Sequence, residues 1–303
     1  MINKLIAKML PIMPKKLIWI FSKKYISGIS IEDALRESKL LNQSGCMVTV
    51  DLLGEYISQL SEAESYKKQY IELIERFSKE AVQGNFSVKP SMFGLLLDVE
   101  VCYQNLREIV ATAAVNHSFI RVDMEDATCT DQEIAIYRRL KAEFPQSVGL
   151  VLQAYLKRTY RDIEQMMDMH TAESPLSFRL CKGIYIEDAA IAFKNYQQIR
   201  DNYLKNLRLM LENGIYVGIA THDKFLIDGA TKMIAELNIP KDKYEFQMLF
   251  GVTPGLRKSV VAQGHRMRIY VPYGQQWFGY STRRLKENPN MVWHIVKAIF
   301  IRG

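Results

Sequence analysis

The chain strings cations, carboxylates and amides along a series of short β-like runs. Lys89 closes one run, Asp123 and Glu125 close the next, and Gln153 follows in a third. Arg179 and Lys182 share a run, and Thr221, His222 and Asp223 end another. Gln247 and Tyr270 sit in the last two. In WFGYSTRRLKE, 277–287, Tyr280, Arg283, Arg284 and Glu287 fall at i, i+3, i+4 and i+7, which is one face of a helix. That face is cationic and aromatic where a packed helix would be apolar, so it is expected to look into a site. Two chemistries suit such a set. One is retention of a multiply charged cofactor such as a dinucleotide. The other is a carboxylate clamp, because the guanidinium fork matches two carboxylate oxygens. Lys89 and Asp123 could be neighbours across adjacent strands. For each residue alone, a structural ion pair at the rim is the competing reading. A third chemistry is a Schiff base on Lys182, which requires a setting that lowers the lysine pKa.

Several classes drop out. The histidines His117, His170, His222, His265 and His294 show no paired metal-ligand spacing, so no metal is expected. No nucleophile elbow, phosphate-binding loop or G-x-G-x-x-G fingerprint occurs, so a nucleotide cofactor has to bind outside the Rossmann manner. The net charge of +7 comes from 40 basic and 33 acidic residues. Six lysines, Lys4, Lys8, Lys15, Lys16, Lys23 and Lys24, fall in residues 1–30 with no acid. The remainder is close to neutral, which argues against a nucleic-acid-binding body. Residues 1–30 read either as an arm for anionic lipid or as a helix packed on the body. The arm lacks a signal-peptide cleavage site, and no apolar run is long enough to span a bilayer. Cys46, Cys102, Cys129 and Cys181 sit in or beside apolar segments without CxxC spacing, which suggests a reduced, cytoplasmic setting. Cys181 is expected as a small buried apolar side chain.

The elements that must position these groups alternate. Helices are expected near 3–12, 14–26 and 31–43. β-like runs follow at 46–53, 86–90, 119–125, 148–156, 177–183, 216–223, 244–251 and 266–274, separated by amphipathic stretches. Eight parallel strands close a barrel, and polar strand ends then meet at its C-terminal mouth. The expected fold is α/β, a (βα)8 TIM-like barrel over 46–303, with an N-terminal helical arm at 1–45 and a final helix over the mouth.

Six segments in order, FIRVDMED, LQAYLKRT, RLCKGIY, GIATHD, EFQMLFG and RIYVPYG…YSTRRLKE, resemble the proline dehydrogenase family in its short monofunctional bacterial form. The resemblance runs from about 17 to about 290 and excludes the aldehyde-dehydrogenase region of bifunctional relatives. It implies oxidation of L-proline to (S)-1-pyrroline-5-carboxylate by hydride transfer to FAD, the first step of proline degradation to glutamate. Electrons then pass to a membrane quinone. A related 4-hydroxyproline dehydrogenase is the near alternative, and the Schiff-base lyase the distant one. By the same resemblance Asp123 and Arg179 act catalytically, with Arg179 near the flavin N5. Lys89, Arg283 and Arg284 clamp the substrate carboxylate and Glu287 orients the arginines. Tyr185, Leu249, Tyr270 and Tyr280 wall the substrate ring. Met124, Gln153, Arg179, Lys182, Gly183, Ile184, Thr221, His222 and Gln247 contact the cofactor. The family commonly has a small aliphatic residue at Cys181 and alanine at Ile184, so Ile184 is expected to narrow the pocket or shift the cofactor.

Overall fold

The computed structural model describes residues 15–287, with the side chains at 16, 17, 20, 21 and 283–287 outside the described set. The helix expected near 3–12 lies outside the described residues. Helix α1 (Lys15–Ser22) is followed by α2 (Ile31–Gln43). A capping box starts α2: Ser30 Oγ accepts the Asp33 N–H at 3.3 Å, and the Asp33 carboxylate accepts the Ser30 N–H at 3.3 Å.

The barrel then runs β1 (Met47–Leu52), α3 (Leu60–Lys79), β2 (Gly84–Val88), α4 (Val99–Val115), β3 (Ile120–Val122) and α5 (Thr130–Glu143). It continues β4 (Val148–Gln153), α6 (Thr159–Met166), β5 (Ser177–Cys181), α7 (Tyr196–Glu212), β6 (Tyr216–Ala220) and α8 (Lys224–Glu236). It ends β7 (Tyr244–Leu249), α9 (Pro254–Ala262), β8 (Met267–Tyr273) and α10 (Trp277–Glu287). The strands pair in parallel in chain order and close β8 onto β1. The expected α/β barrel is therefore the observed one. Strand two is displaced: the ladder holds Gly84–Val88, not 86–90, so Lys89 lies just past the strand as the N-cap of a short 3-10 turn. Among the described residues no helix is long and apolar enough to cross a membrane.

Side chains alternate across a strand, and here the two faces differ in kind. Val48, Val50, Phe86, Val88, Ile120, Val122, Phe178, Leu180, Phe246 and Ile269 are buried apolar residues of the core. The alternate positions Thr49, Asp51, Ser87, Arg121, Arg179, Glu245, Gln247 and Arg268 are also buried, yet polar or charged. The barrel interior is thus a hydrogen-bonded column. Two glycines make room for it. A Cβ on Gly149 would stand 2.3 Å from Arg121 Nη1, and one on Gly218 would stand 2.3 Å from Gln247 Nε2.

The N-terminal segment is bonded to the mouth. The Ser27 N–H reaches Pro272 O at 2.9 Å, and the Gly274 N–H reaches Gly28 O at 3.1 Å. Trp19 of α1 meets Trp277 of α10 with ring centroids 4.8 Å apart. The first and last described helices pack together beside the barrel opening.

Candidate active site

A cavity of about 930 Å³ opens at the C-terminal ends of the strands, near the top of the roughly 300–1,000 Å³ range for ligand pockets. Lys89, Asp123, Met124, Gln153, Arg179, Lys182, Gly183, Ile184, Tyr185, Thr221, His222, Gln247, Leu249, Tyr270 and Tyr280 all line it. These sequence-predicted site residues therefore share one space, while Glu125 and Asp223 are not part of its lining. Arg283, Arg284 and Glu287 belong to α10, whose earlier residues Gly279 and Tyr280 line the same cavity; their side chains lie outside the described residues.

The floor is an ionic lattice. Asp123 accepts from Ser87 Oγ at 2.5 Å, Arg179 Nη1 at 3.0 Å and Tyr270 Oη at 3.1 Å. Arg179 also donates through Nε to Gln247 Oε1 at 2.7 Å and through Nη1 to Ser87 Oγ at 3.1 Å. Its buried Nη2 finds no hydrogen-bond partner among the described residues. Gln247 passes the chain downward, donating Nε2 to Glu245 at 2.6 Å, and Glu245 takes Arg268 at 2.6 and 3.0 Å. Burial pushes the Glu245 carboxyl up, but the Arg268 charge and hydrogen bond, with donors from Tyr216 and Gln247, hold it down at about 2.

Lys89 neighbours Asp123 as expected but has a closer partner. Its ammonium lies 2.6 Å from Asp51 and 3.9 Å from Asp123. Asp51, a residue of β1, is its main partner, and the pairing with Asp123 is the weaker contact. Asp123 already accepts three donors, which accounts for the preference. Burial works against the charged Lys89, yet Asp51 and Asp123 outweigh it and hold its pKa well above the usual value. For Asp51 burial is the largest influence and raises the carboxyl, with Lys89 pulling the other way.

The wall at β4 to β6 is fixed by shorter links. Gln153 Nε2 donates to Glu125 O at 2.7 Å, and Thr221 Oγ1 accepts the Asp223 N–H at 3.1 Å. His222 Nε2 accepts the Leu249 N–H at 2.9 Å, so a neutral ring carries its proton on Nδ1. Lys182 donates to Tyr196 Oη at 3.0 Å and lies 3.5 Å from Asp223. Arg200 grips the same carboxylate with two bonds of 2.9 Å. Burial raises Asp223, but the bonds from Arg200 and Tyr196 and the Lys182 charge outweigh it and hold the carboxyl well below its ordinary range. A Schiff-base lysine needs a free, desolvated amine; Lys182 is instead paired with Asp223 and Tyr196. Gly183 adopts φ +103°, and a Cβ there would meet the Tyr155 ring at 2.1 Å. Its glycine is dictated by the backbone and by Tyr155 packing.

Two further expectations change. Glu125 does not face the mouth: it is fully buried, accepting the Ser91 N–H at 2.8 Å and Ser91 Oγ at 2.6 Å, and burial pushes it up to about 7. Cys181 is only partly buried and lines the cavity, its thiol pushed up to about 11 by burial. Ile184 lines the cavity and is 61% exposed. The residues that sequence reasoning missed are Asp51, Ser87, Glu245 and Arg200. Asp51 and Glu245 left one signal, a carboxylate inside a β-like run with apolar neighbours. Ser87 and Arg200 left none that distinguishes them from surface polar residues.

Comparison with known proteins follows the same lines. The family model for proline dehydrogenase matches residues 34–294. Proline dehydrogenase 1 of Bacillus subtilis (strain 168) is 36% identical over 278 residues, covering 92% of this chain and 90% of that protein. The proline dehydrogenase of Deinococcus radiodurans is 33% identical over 285 residues, covering 93% and 90%. Among solved structures, proline utilization A (PutA) from Bdellovibrio bacteriovorus, inactivated by N-propargylglycine, superposes with a TM-score of 0.82 at 27% identity over 88% of this chain. This chain covers 32% of that larger protein.

Proposed function

The chain belongs to the proline dehydrogenase family, and from that premise we propose that it oxidises L-proline to (S)-1-pyrroline-5-carboxylate with FAD as hydride acceptor, delivering the electrons to a membrane quinone. The observation that carries the cofactor reading is Arg179, held by Gln247, Ser87 and Asp123 on the cavity floor yet with Nη2 unsatisfied. A buried guanidinium nitrogen without an acceptor is costly, and a flavin ring edge offers acceptors. The rest of the lining suits the same group. Lys182 and Gln153 are polar ligands, Met124 and Val151 are apolar wall, and the backbone at Gly183 comes to the cavity without a side chain. Bound flavin supplies the two-electron acceptor that none of the side chains can be.

The protein's own part is positioning. Tyr270, Leu249, Tyr280 and Tyr185 would enclose a ring of methylenes and keep water away from it. Lys89 would meet the substrate carboxylate together with Arg283 and Arg284 from α10, and Glu287 would orient that pair. Asp123 locks Arg179, Tyr270 and Ser87 into one lattice, so the floor moves little when ligands enter. Residues 1–30 would touch the membrane that holds the quinone. Trp19 packs on Trp277, and the Lys15 ammonium lies 5.6 Å from the Phe278 ring centroid, beside α10.

Three experiments test the reading. Heat-released chromophore, separated by chromatography, is expected to run as FAD, and FMN would overturn the cofactor. Steady-state rates with L-proline and 4-hydroxyproline decide the substrate. Proline is expected to be preferred, with Tyr280→Ser narrowing the difference. Liposome flotation with and without residues 1–30 tests the membrane contact, and equal flotation of both forms removes that role.

A further inference from the structure

We propose that Asp51 is a positioning residue for substrate recognition: it fixes the Lys89 ammonium where a substrate carboxylate can use it. The inference rests on the reading of Lys89 as part of the carboxylate clamp. Asp51 sits in β1, and its side chain is 1% exposed. Lys89 sits past the end of β2, where Pro90 opens a 3-10 turn and the Met92 N–H returns to Lys89 O at 3.0 Å. The backbone of Lys89 is thereby pinned, but its four-carbon side chain is not. A free lysine side chain spreads over many rotamers. The 2.6 Å contact with Asp51 selects one.

The alternative partner shows why this matters. Asp123 lies 3.9 Å from Lys89 Nζ, beyond hydrogen-bond distance, and accepts Ser87, Arg179 and Tyr270. Lys89 has three N–H donors, of which one goes to Asp51. Donors therefore remain for a ligand in the cavity that Lys89 lines. Within the floor, Lys89 and Arg179 are balanced by Asp51 and Asp123, so attraction of an incoming carboxylate depends on where the ammonium is held rather than on net charge. Without the Asp51 charge, the nearest acid to Lys89 is Asp123. The ammonium then turns toward it and away from the substrate carboxylate, and Asp123 is drawn from Arg179. Asp51 thus acts through Lys89 and need not touch the substrate.

The test compares holoenzyme forms carrying Asp51→Asn, Lys89→Met and both changes. The readouts are kcat and KM for L-proline, and dissociation constants from flavin spectral perturbation for cyclopentanecarboxylate, which has the carboxylate, and pyrrolidine, which lacks it. Asp51→Asn is expected to raise KM and weaken cyclopentanecarboxylate by roughly 10- to 100-fold, the span of one charge-assisted hydrogen bond. Pyrrolidine binding stays within about two-fold, since a uniform binding loss should follow the carboxylate alone. The double variant should be no worse than Lys89→Met. If Lys89→Met weakens cyclopentanecarboxylate and Asp51→Asn does not, the positioning role is overturned while the clamp stands. If Lys89→Met has no effect, the clamp reading itself falls. Asp51→Glu provides a second variant that keeps the charge on a longer arm. It should weaken cyclopentanecarboxylate but not pyrrolidine, and unchanged binding of both also overturns the proposal.

Discussion

Gly218→Ala probes the interior column without replacing any ligand-facing side chain. The added methyl would stand 2.3 Å from Gln247 Nε2 and 2.9 Å from its Cδ. The Gln247 amide has to move, and it cannot move freely. Nε2 is bonded to Glu245 at 2.6 Å and Oε1 to Arg179 at 2.7 Å. Both partners are charged and buried. Loss of one charge-assisted bond costs about 1.5–3 kcal/mol, and overpacking adds about 1–3 kcal/mol. A total near 3 kcal/mol follows if the amide relaxes partly, which lowers Tm by roughly 5 °C for a chain of 303 residues. Because Arg179 loses its Nε acceptor, the site should loosen as well as the fold. Thermal and urea unfolding of the flavoprotein measure the first effect, and proline KM the second. Gly255→Ala is the control, since nothing stands within 4 Å of a Cβ there in α9. It should leave stability unchanged or raise it by up to about 1 kcal/mol. A Gly218→Ala protein as stable as the control, with unchanged KM, would refute the claim that the barrel interior is a tight lattice coupled to Arg179.

Other outcomes follow from the same geometry. Gly183→Ala places a side chain at φ +103° against the Tyr155 ring, and should cost about 2–4 kcal/mol and lower flavin content. A Tyr155→Leu background should restore part of the loss but not the backbone cost, and full restoration would contradict the strain argument. Glu245 gives an acid limb. Its carboxyl is held at about 2 against an ordinary 4.5, worth roughly 3 kcal/mol. A depressed carboxyl stabilises fully above its unfolded pKa, and that contribution disappears as pH falls from 4.5 toward 2. The Tm gap between wild type and Glu245→Gln should therefore shrink over that window, and a constant gap would contradict the pairing with Arg268. Sodium borohydride with carbonyl substrates should leave Lys182 unmodified, because Asp223 and Tyr196 hold its ammonium; a trapped adduct would reopen lyase chemistry.

What could be read from the chain was what local pattern controls. The β-like runs gave the eight strands because each has buried apolar residues at alternate positions, and helix 31–43 was bounded by its Ser30–Asp33 capping box. The residues at strand ends faced one cavity because every parallel strand of a closed barrel points the same way. Pairing was less legible. Lys89 was expected with Asp123, but partner choice depends on β1 as well as β3, and on Asp123 being saturated by Ser87, Arg179 and Tyr270. Glu125 ended a β-like run and so seemed to face the mouth, yet β3 leaves the ladder at Val122 and the chain turns its carboxylate under Ser91. Arg200 could not be found from sequence at all, since it reaches Asp223 from the first turns of α7, 23 residues away in the chain. The polar barrel interior was visible in principle. Glu245 and Gln247 in YEFQML alternate with Tyr244, Phe246 and Met248, a pattern that a strand buried between two apolar faces does not show.

The central claim is that this barrel holds a flavin that L-proline reduces. The direct measurement is the visible spectrum of the purified protein before and after anaerobic addition of L-proline. Flavin absorption that bleaches on addition is the expected result. A protein that binds flavin but is not bleached by proline would contradict the substrate assignment, and one that remains colourless after reconstitution with FAD would contradict the function as a whole.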